Sequence, residues 1–179
     1  GMAVGFLYNG GRRPISHTPF GELFAGLFLG SLLFLLSYYV QALRVTAAAA
    51  IVSLPLLLLV ASILTVNNTC DIDGDRAAGR KTLSILLGRR GGEALVYALG
   101  FLAYAVTGLS VALGFLPRLA AVPLLLSAAL TAIFYRALHR RSFSHATKGP
   151  CMRMVVRVLA LYGGALALAL LLALSPLRL

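Results

Sequence analysis

Residues 67–83, Asn-Asn-Thr-Cys-Asp-Ile-Asp-Gly-Asp-Arg-Ala-Ala-Gly-Arg-Lys-Thr-Leu, carry three of the five carboxylates in this chain. They follow directly on 22 uncharged residues, Val45 to Val66. Three like charges within five residues repel one another unless a cation sits among them. A divalent metal answers that need, and phosphate is its natural companion ligand. If the helix begun at Val45 runs on for two turns, Asn67, Asp71 and Asp75 fall at i, i+4 and i+8 and line one face. Asp73 is out of phase and reads as a bystander, while Asn68 lies on a flanking face. One amide oxygen and two carboxylates are hard donors. Magnesium favours such a set, completed by waters and phosphate oxygens. Gly79 ends or loosens the helix, and Arg80 and Lys81 are placed to meet the same phosphates. Acids for metal and bases for phosphate, at the end of an apolar run, describe a site for a lipid diphosphate.

Other readings of these residues fail on particular positions. Asp71-x-Asp73-x-Asp75 is similar to the opening of an EF-hand loop, but the sixth position is Arg76 instead of Gly and the twelfth is Thr82 instead of Glu. Asp73-Gly74-x-x-Ala77 is similar to the start of the CDP-alcohol phosphatidyltransferase motif. That motif continues with Arg and two further Asp, whereas Ala78 follows here and no Asp occurs after Asp75. A solvated acidic loop balanced by nearby Arg and Lys would leave the Asn-Asn pair and the helical phase without a purpose.

The elements that must hold this motif are membrane spans. A mean hydropathy of +0.92 with only 12% charged residues puts the chain in the integral membrane class. Five stretches are long enough to cross a bilayer, roughly 20–43, 45–66, 93–116, 119–138 and 155–174. The predicted fold is an all-α polytopic transmembrane bundle. Residues 1–179 form a single transmembrane domain, itself partial, and 67–92 form its Asp-rich motif and loop. The net charge of +11 invites a nucleic-acid partner, but its distribution excludes one. Thirteen cations, from Arg12 and Arg13 through the motif loop to Arg157, fall on one side of the alternating spans. Only Arg44, Arg118 and Arg178 fall on the other. This is the positive-inside pattern, so the motif is expected to face the cytoplasm. The expected setting is a bacterial or archaeal plasma membrane.

Between the spans, Gly10 to Pro19 is full of chain breakers and reads as a loop. Gly26 and Gly30 have the GxxxG spacing that lets a second helix approach. Tyr38 and Tyr39 read as an interfacial aromatic belt. Pro55 lies in mid-span and reads as a bend, tolerated where neighbours satisfy the freed carbonyl. Pro117 marks a tight turn between the third and fourth spans. The loop from His139 to Pro150 reads as solvated and basic, lying on anionic lipid, with no chemical role for His139 or His145. Cys70 and Cys151 both fall on the cytoplasmic side, where a disulfide is not expected. Residues 1–9 read as the last turns of a helix, and the odd span count points to a fragment of a longer protein.

Asn67-Asn68-x-x-Asp71-x-x-x-Asp75-x-x-x-Gly79-Arg80-Lys81-Thr82-Leu83, then Leu87-Gly88, resembles the second aspartate-rich motif of the UbiA superfamily of intramembrane prenyltransferases. Tyr8-x-Gly10-Gly11-x-x-Pro14, Gly21-Glu22-Leu23 and Tyr38-Tyr39-Val40-Gln41 are similar to the menaquinone branch, the 1,4-dihydroxy-2-naphthoate prenyltransferases. The resemblance runs from residue 1 to about 100 and weakly through the final helix. It implies a nine-helix bundle with two aspartate-rich motifs. This chain would supply helices five to nine and the second motif, and would be inactive without the first. Cys70 stands where the family usually has Arg, so the contact would pass to Arg76 or Arg80.

The resemblance also implies the chemistry. Magnesium, held by Asn67, Asp71 and Asp75, would bind the diphosphate of a polyprenyl donor, with Asp71 and Asp75 as the catalytic acids. Arg80 and Lys81 would bind phosphate oxygens, Asn68 would be a substrate contact, and Tyr8 would reach the diphosphate from the mouth of the site. An aromatic acceptor, expected to be 1,4-dihydroxy-2-naphthoate, would attack the allylic cation. The bilayer is the remaining partner. Two alternatives stay open: a non-catalytic five-span protein that binds divalent cations or lipid headgroups, and a UbiA-type enzyme with another aromatic acceptor.

Overall fold

The computed structural model describes residues 2–12 and 14–174, so Arg13 and Arg178 of the charge count lie outside the described residues. Among the described residues there is no β-strand. Helix α1 covers Met2–Asn9. Helices α2 (Gly21–Ala25) and α3 (Leu33–Ala42) are joined through a π-helical stretch, Gly26–Leu32, into one rod. Then come α4 (Ala47–Cys70), α5 (Ile72–Ala77), α6 (Leu83–Ala112), α7 (Ala121–His139) and α8 (Lys148–Leu174). Five segments are long and apolar enough to cross a membrane, beginning at Gly21, Ala47, Leu83, Arg118 and His145.

Two of these begin earlier than the sequence pattern predicts. The third starts at Leu83 because the Thr82 hydroxyl caps it, accepting the Ile85 N–H at 3.4 Å. It then bends at Gly88, whose φ of 70° is open to glycine. Residues 67–92 are therefore the last turn of α4, the short helix α5, a connection over 78–82 and the bent start of α6. The fifth starts at Lys148 because Pro150 falls in its first turn, where a missing N–H costs nothing.

Helix α4 is the spine, packing on α2, the π-helical stretch, α6 and α8, while α7 packs mainly on α8. Hydrophobic association is weak between helices already in lipid, so close backbone approach and polar contacts must do more. Both are present. A Cβ at Gly26 would lie 2.4 Å from the Leu57 carbonyl oxygen, and one at Gly30 would lie 2.6 Å from the Leu57 nitrogen. Beside them the Ser31 hydroxyl donates to the Ser53 carbonyl at 3.1 Å, just before the buried Pro55. A Cβ at Gly92 would lie 2.2 Å from the Thr69 hydroxyl, so α6 meets the last turn of α4 with nothing between them. Thr69 also shares a hydrogen bond of 3.0 Å with Ser84. In the middle of the bundle Tyr162 bonds Thr107 at 2.9 Å, inside a core of Val52, Leu59, Ala103 and Val158.

Three connections gather at one end of the bundle. The Lys81 N–H donates to the His17 carbonyl at 2.9 Å, and the Arg89 guanidinium donates to the Phe143 carbonyl. The 43–46 and 113–117 connections lie at the other end, where Leu43 closes α3 in a left-handed conformation, φ 52°.

Gly30→Leu drives a side chain into the α4 backbone and is expected to destabilise the protein by about 1–3 kcal/mol. Gly108→Ala, where a Cβ meets nothing within 4 Å, is expected to be neutral or mildly stabilising. Thermal unfolding of the two variants in detergent checks the contrast.

Candidate functional site

The α4 spine does not pass straight through the acidic motif. Asp71 leaves helical geometry at φ −103°, ψ 13°, and separates α4 from α5. Backbone bonds still bridge the break, from Asp71 to Asn67 at 3.3 Å and from Asp75 to Asp71 at 2.8 Å. The interruption coincides with tertiary contacts to Asp71. One of its oxygens accepts from Lys148 and the other contacts His145 Nδ1 at 2.9 Å. The basic 139–150 segment is thus not simply solvated: it closes over the motif.

Asp75 is fixed by a glycine. Gly79 has φ 71°, and the turn it makes is a Schellman cap. The Gly79 N–H donates to the Arg76 carbonyl at 3.1 Å and the Arg80 N–H to the Asp75 carbonyl at 2.9 Å. That turn folds Arg80 back, so its guanidinium lies 3.2 Å from Asp75 Oδ1. Asp75 is 7% exposed, and its Oδ2 is buried without a partner.

Glu22, from α2, stands across from the motif. It is 3% exposed; Oε1 accepts from the Asn68 amide at 2.9 Å, and Oε2 is buried without a partner. Asn68 in turn accepts from the Asn67 amide at 3.1 Å. Tyr8 reaches the same place, its hydroxyl 3.4 Å from the Gly21 carbonyl. The structure therefore brings Asn67, Asn68, Asp71, Asp75, Arg80 and Tyr8 to one end of the bundle. Lys81 is exposed and contributes a backbone bond to His17. Asp73 turns outward and pairs with Arg89 at 3.0 Å. Cys70 is a free thiol packed with Cys151, Val66 and Val96, and Arg76 is exposed, so the cations on the acids are Arg80 and Lys148.

Glu22, His145 and Lys148 are functional candidates that the residue spacing did not single out. An acid at the start of an apolar span was the available signal for Glu22. Nothing local marks His145 or Lys148, because they meet Asp71 across 74 and 77 residues.

The two motif acids are tuned apart. Burial acts to raise the Asp71 carboxyl, but hydrogen bonds from Lys148 and His145 outweigh it and hold it below the ordinary value. Burial pushes the Asp75 carboxyl up, against the pull of the Arg80 guanidinium. Among the described residues no three His, Cys, Asp or Glu side chains converge as a closed metal site. Magnesium does not need one, since it takes one or two carboxylates and fills the rest with water and phosphate. Unpartnered oxygens on Asp75 and Glu22, with an amide oxygen from Asn67, fit such an ion.

A groove of about 440 Å³ opens beside these groups. It starts at Tyr8 and Leu64 and runs along Phe24, Phe28, Leu29 and Leu32. Phe24 and Phe28 are near-parallel, with ring centroids 6.2 Å apart. A charged head and an apolar channel at one helix end suit an amphiphile with an anionic head.

The family profile described as the UbiA prenyltransferase family matches residues 1–156. The chain belongs to the UbiA prenyltransferase family. This UbiA chain is an integral membrane protein. It is 44% identical over 104 residues to the 1,4-dihydroxy-2-naphthoate octaprenyltransferase of Bacillus subtilis, covering 58% of this chain and 33% of that one. It is 37% identical over 87 residues to the enzyme of the same name from Mycobacterium tuberculosis, covering 49% and 30%. It is 34% identical over 106 residues to human UbiA prenyltransferase domain-containing protein 1, covering 59% and 31%. The chain thus spans about a third of the length of the curated relatives it matches. No solved structure matches it.

A carboxyl held below its unfolded pKa adds stability that is full above the unfolded value and lost as pH falls through the folded one. Lys148→Met should therefore cost about 1 kcal/mol at neutral pH. That difference should shrink as the pH falls below the ordinary aspartate value and through the lowered one. Thermal unfolding against pH measures it, and an equal loss at both ends would contradict the pairing.

Proposed function

We propose that this chain forms the second metal-and-diphosphate clamp of a magnesium-dependent prenyltransferase, which moves a polyprenyl group from its diphosphate to an aromatic acceptor. The observation that carries this is the coexistence of two buried, unpartnered carboxylate oxygens, on Glu22 and Asp75, with an apolar aromatic groove starting beside them. The acceptor is 1,4-dihydroxy-2-naphthoate, on the support of relatives with that word in their names. On this reading the reaction belongs to menaquinone biosynthesis, and the charge distribution supports a cytoplasmic motif.

Asp75 and Asn67 would hold the ion, with Asp71 and Glu22 beside it. The bound magnesium would supply charge neutralisation that makes diphosphate a leaving group. Arg80 and Lys148 are the cations placed to meet phosphate oxygens. Lys81, expected to share that task, would need to turn inward to do so. The allylic carbon–oxygen bond breaks with its electron pair leaving on diphosphate. Phe24, Phe28 and Tyr8 offer ring faces to the allylic cation and keep the groove dry. The acceptor ring carbon forms the new carbon–carbon bond. Loss of its carboxylate as carbon dioxide returns an electron pair to the ring.

The test uses the longest natural reading frame that encodes these residues, expressed in membranes and assayed for prenyl transfer to 1,4-dihydroxy-2-naphthoate. Asp71→Asn and Asp75→Asn are each expected to lower kcat/KM by about 100-fold or more. The loss should be larger for Asp75→Asn, whose free oxygen is buried. Wild-type turnover by both would overturn the proposal and favour a non-catalytic cation-binding role.

A further inference from the structure

Helices α6 and α7 are consecutive but touch each other only through a few side chains. Helix α6 packs on α4 and α7 on α8, and a cleft of about 690 Å³ lies between them. One stripe of α6, at positions 97, 100, 101 and 104, faces a stripe of α7 from Ala128 to Arg140. Small residues shape the cleft: Ala128 and Ala132 carry too little to fill it, and Gly100 admits the Tyr135 ring. Three tyrosines make its floor. Tyr104 bonds Thr131 at 2.9 Å and Ser127 at 3.2 Å. Tyr97 and Tyr135 meet edge to face at 5.3 Å, and Tyr135 lies where a Cβ on Gly100 would be. Twelve residues of α7 give the cleft a length of about 18 Å, more than half of a bilayer's hydrocarbon core.

The mouth is cationic. Arg136, His139 and Arg140 ring it, at the end of the bundle that carries the aspartate motif. Glu22, Asp71, Asp73 and Asp75 are engaged elsewhere, and Glu93, at the cleft itself, is taken up by two other residues of its lining. Glu93 is held by Tyr97 at 3.1 Å and His139 at 2.9 Å. Asp71, Asp73 and Asp75 have their own cations, and Glu22 has Asn68. Among the described residues, Arg136 and Arg140 pair with no carboxylate. Below them the cleft is apolar. Planar guanidinium forks suit phosphate oxygens, and basic pockets between helices on the cytoplasmic side are the kind that recognise anionic headgroups.

We propose that the α6–α7 cleft is a binding site for an anionic phospholipid, with its phosphate on Arg136 and Arg140 and one acyl chain lying over the tyrosine floor. The site is separate from the aspartate motif and uses none of its residues. It makes the packing of α6 against α7 depend on the lipid around the protein, because the lipid fills space that neither helix fills.

The chain has no tryptophan, so one introduced residue is a unique reporter. Phe101→Trp places it on the cleft wall. Val156→Trp places it on the exposed side of α8, away from the cleft, where the comparison is between the two lipids at each position. The full chain carrying either reporter is reconstituted with lipids brominated on the acyl chain, either phosphatidylglycerol or phosphatidylcholine. At position 101 the glycerol lipid should quench at about 30-fold lower mole fraction, the preference expected for two surface cations. Arg136→Gln with Arg140→Gln should remove that preference, and the reporter at 156 should not show it. Equal quenching by both lipids at 101 would overturn the proposal. So would a preference that survives the double substitution, or one shared by position 156. Absence of quenching by either lipid would mean that protein fills the cleft, and would overturn it as well.

Discussion

The contact of Asp71 with Lys148 and His145 is the constraint on which the rest depends. It joins the end of α4 to the start of α8 across 77 residues of chain. With α4 as spine, that tie fastens the start of the last helix and the loop before it to the end of α4. It coincides with the departure of Asp71 from helical geometry between α4 and α5, and beyond α5 the Gly79 turn folds Arg80 back onto Asp75. A solvated acid could not make such a tie. The ion contact sits at the edge of an apolar bundle, where unpaired charge is costly and a paired one is held in place.

What the acids do then follows from how differently they are satisfied. Asp73 is exposed and paired at the surface. Asp71 has both oxygens engaged. Asp75 and Glu22 each keep one oxygen buried and unpartnered. A native structure tolerates few such groups, and two of them at one helix end are the mark of a ligand that bonds to carboxylate oxygen. The aromatic groove beside them gives that ligand an apolar continuation. Membership of the UbiA family gives the combination a chemical context.

Much of this was legible in the residues. The five spans follow from hydropathy, and the outward turn of Asp73 follows from helical phase. The close approach at Gly26 and Gly30 follows from their spacing. Helix starts at Leu83 and Lys148 were less legible, because a threonine cap and a first-turn proline are short signals beside a run of apolar residues. The Asp71 break was not legible at all. It coincides with contacts from a pair of side chains more than seventy residues away, and no periodicity within 67–83 records them. Glu22 was half legible: its charge was conspicuous, but its bond to Asn68 depends on how two spans pack.

The central claim is that the unpartnered oxygens of Asp75 and Glu22 face a divalent cation. Manganese titration of the purified chain in detergent, followed by electron paramagnetic resonance with inorganic diphosphate present, tests it without any turnover. The account predicts a saturable bound-manganese signal that strengthens with diphosphate and is lost in Asp75→Asn. An unchanged signal in that variant would contradict it.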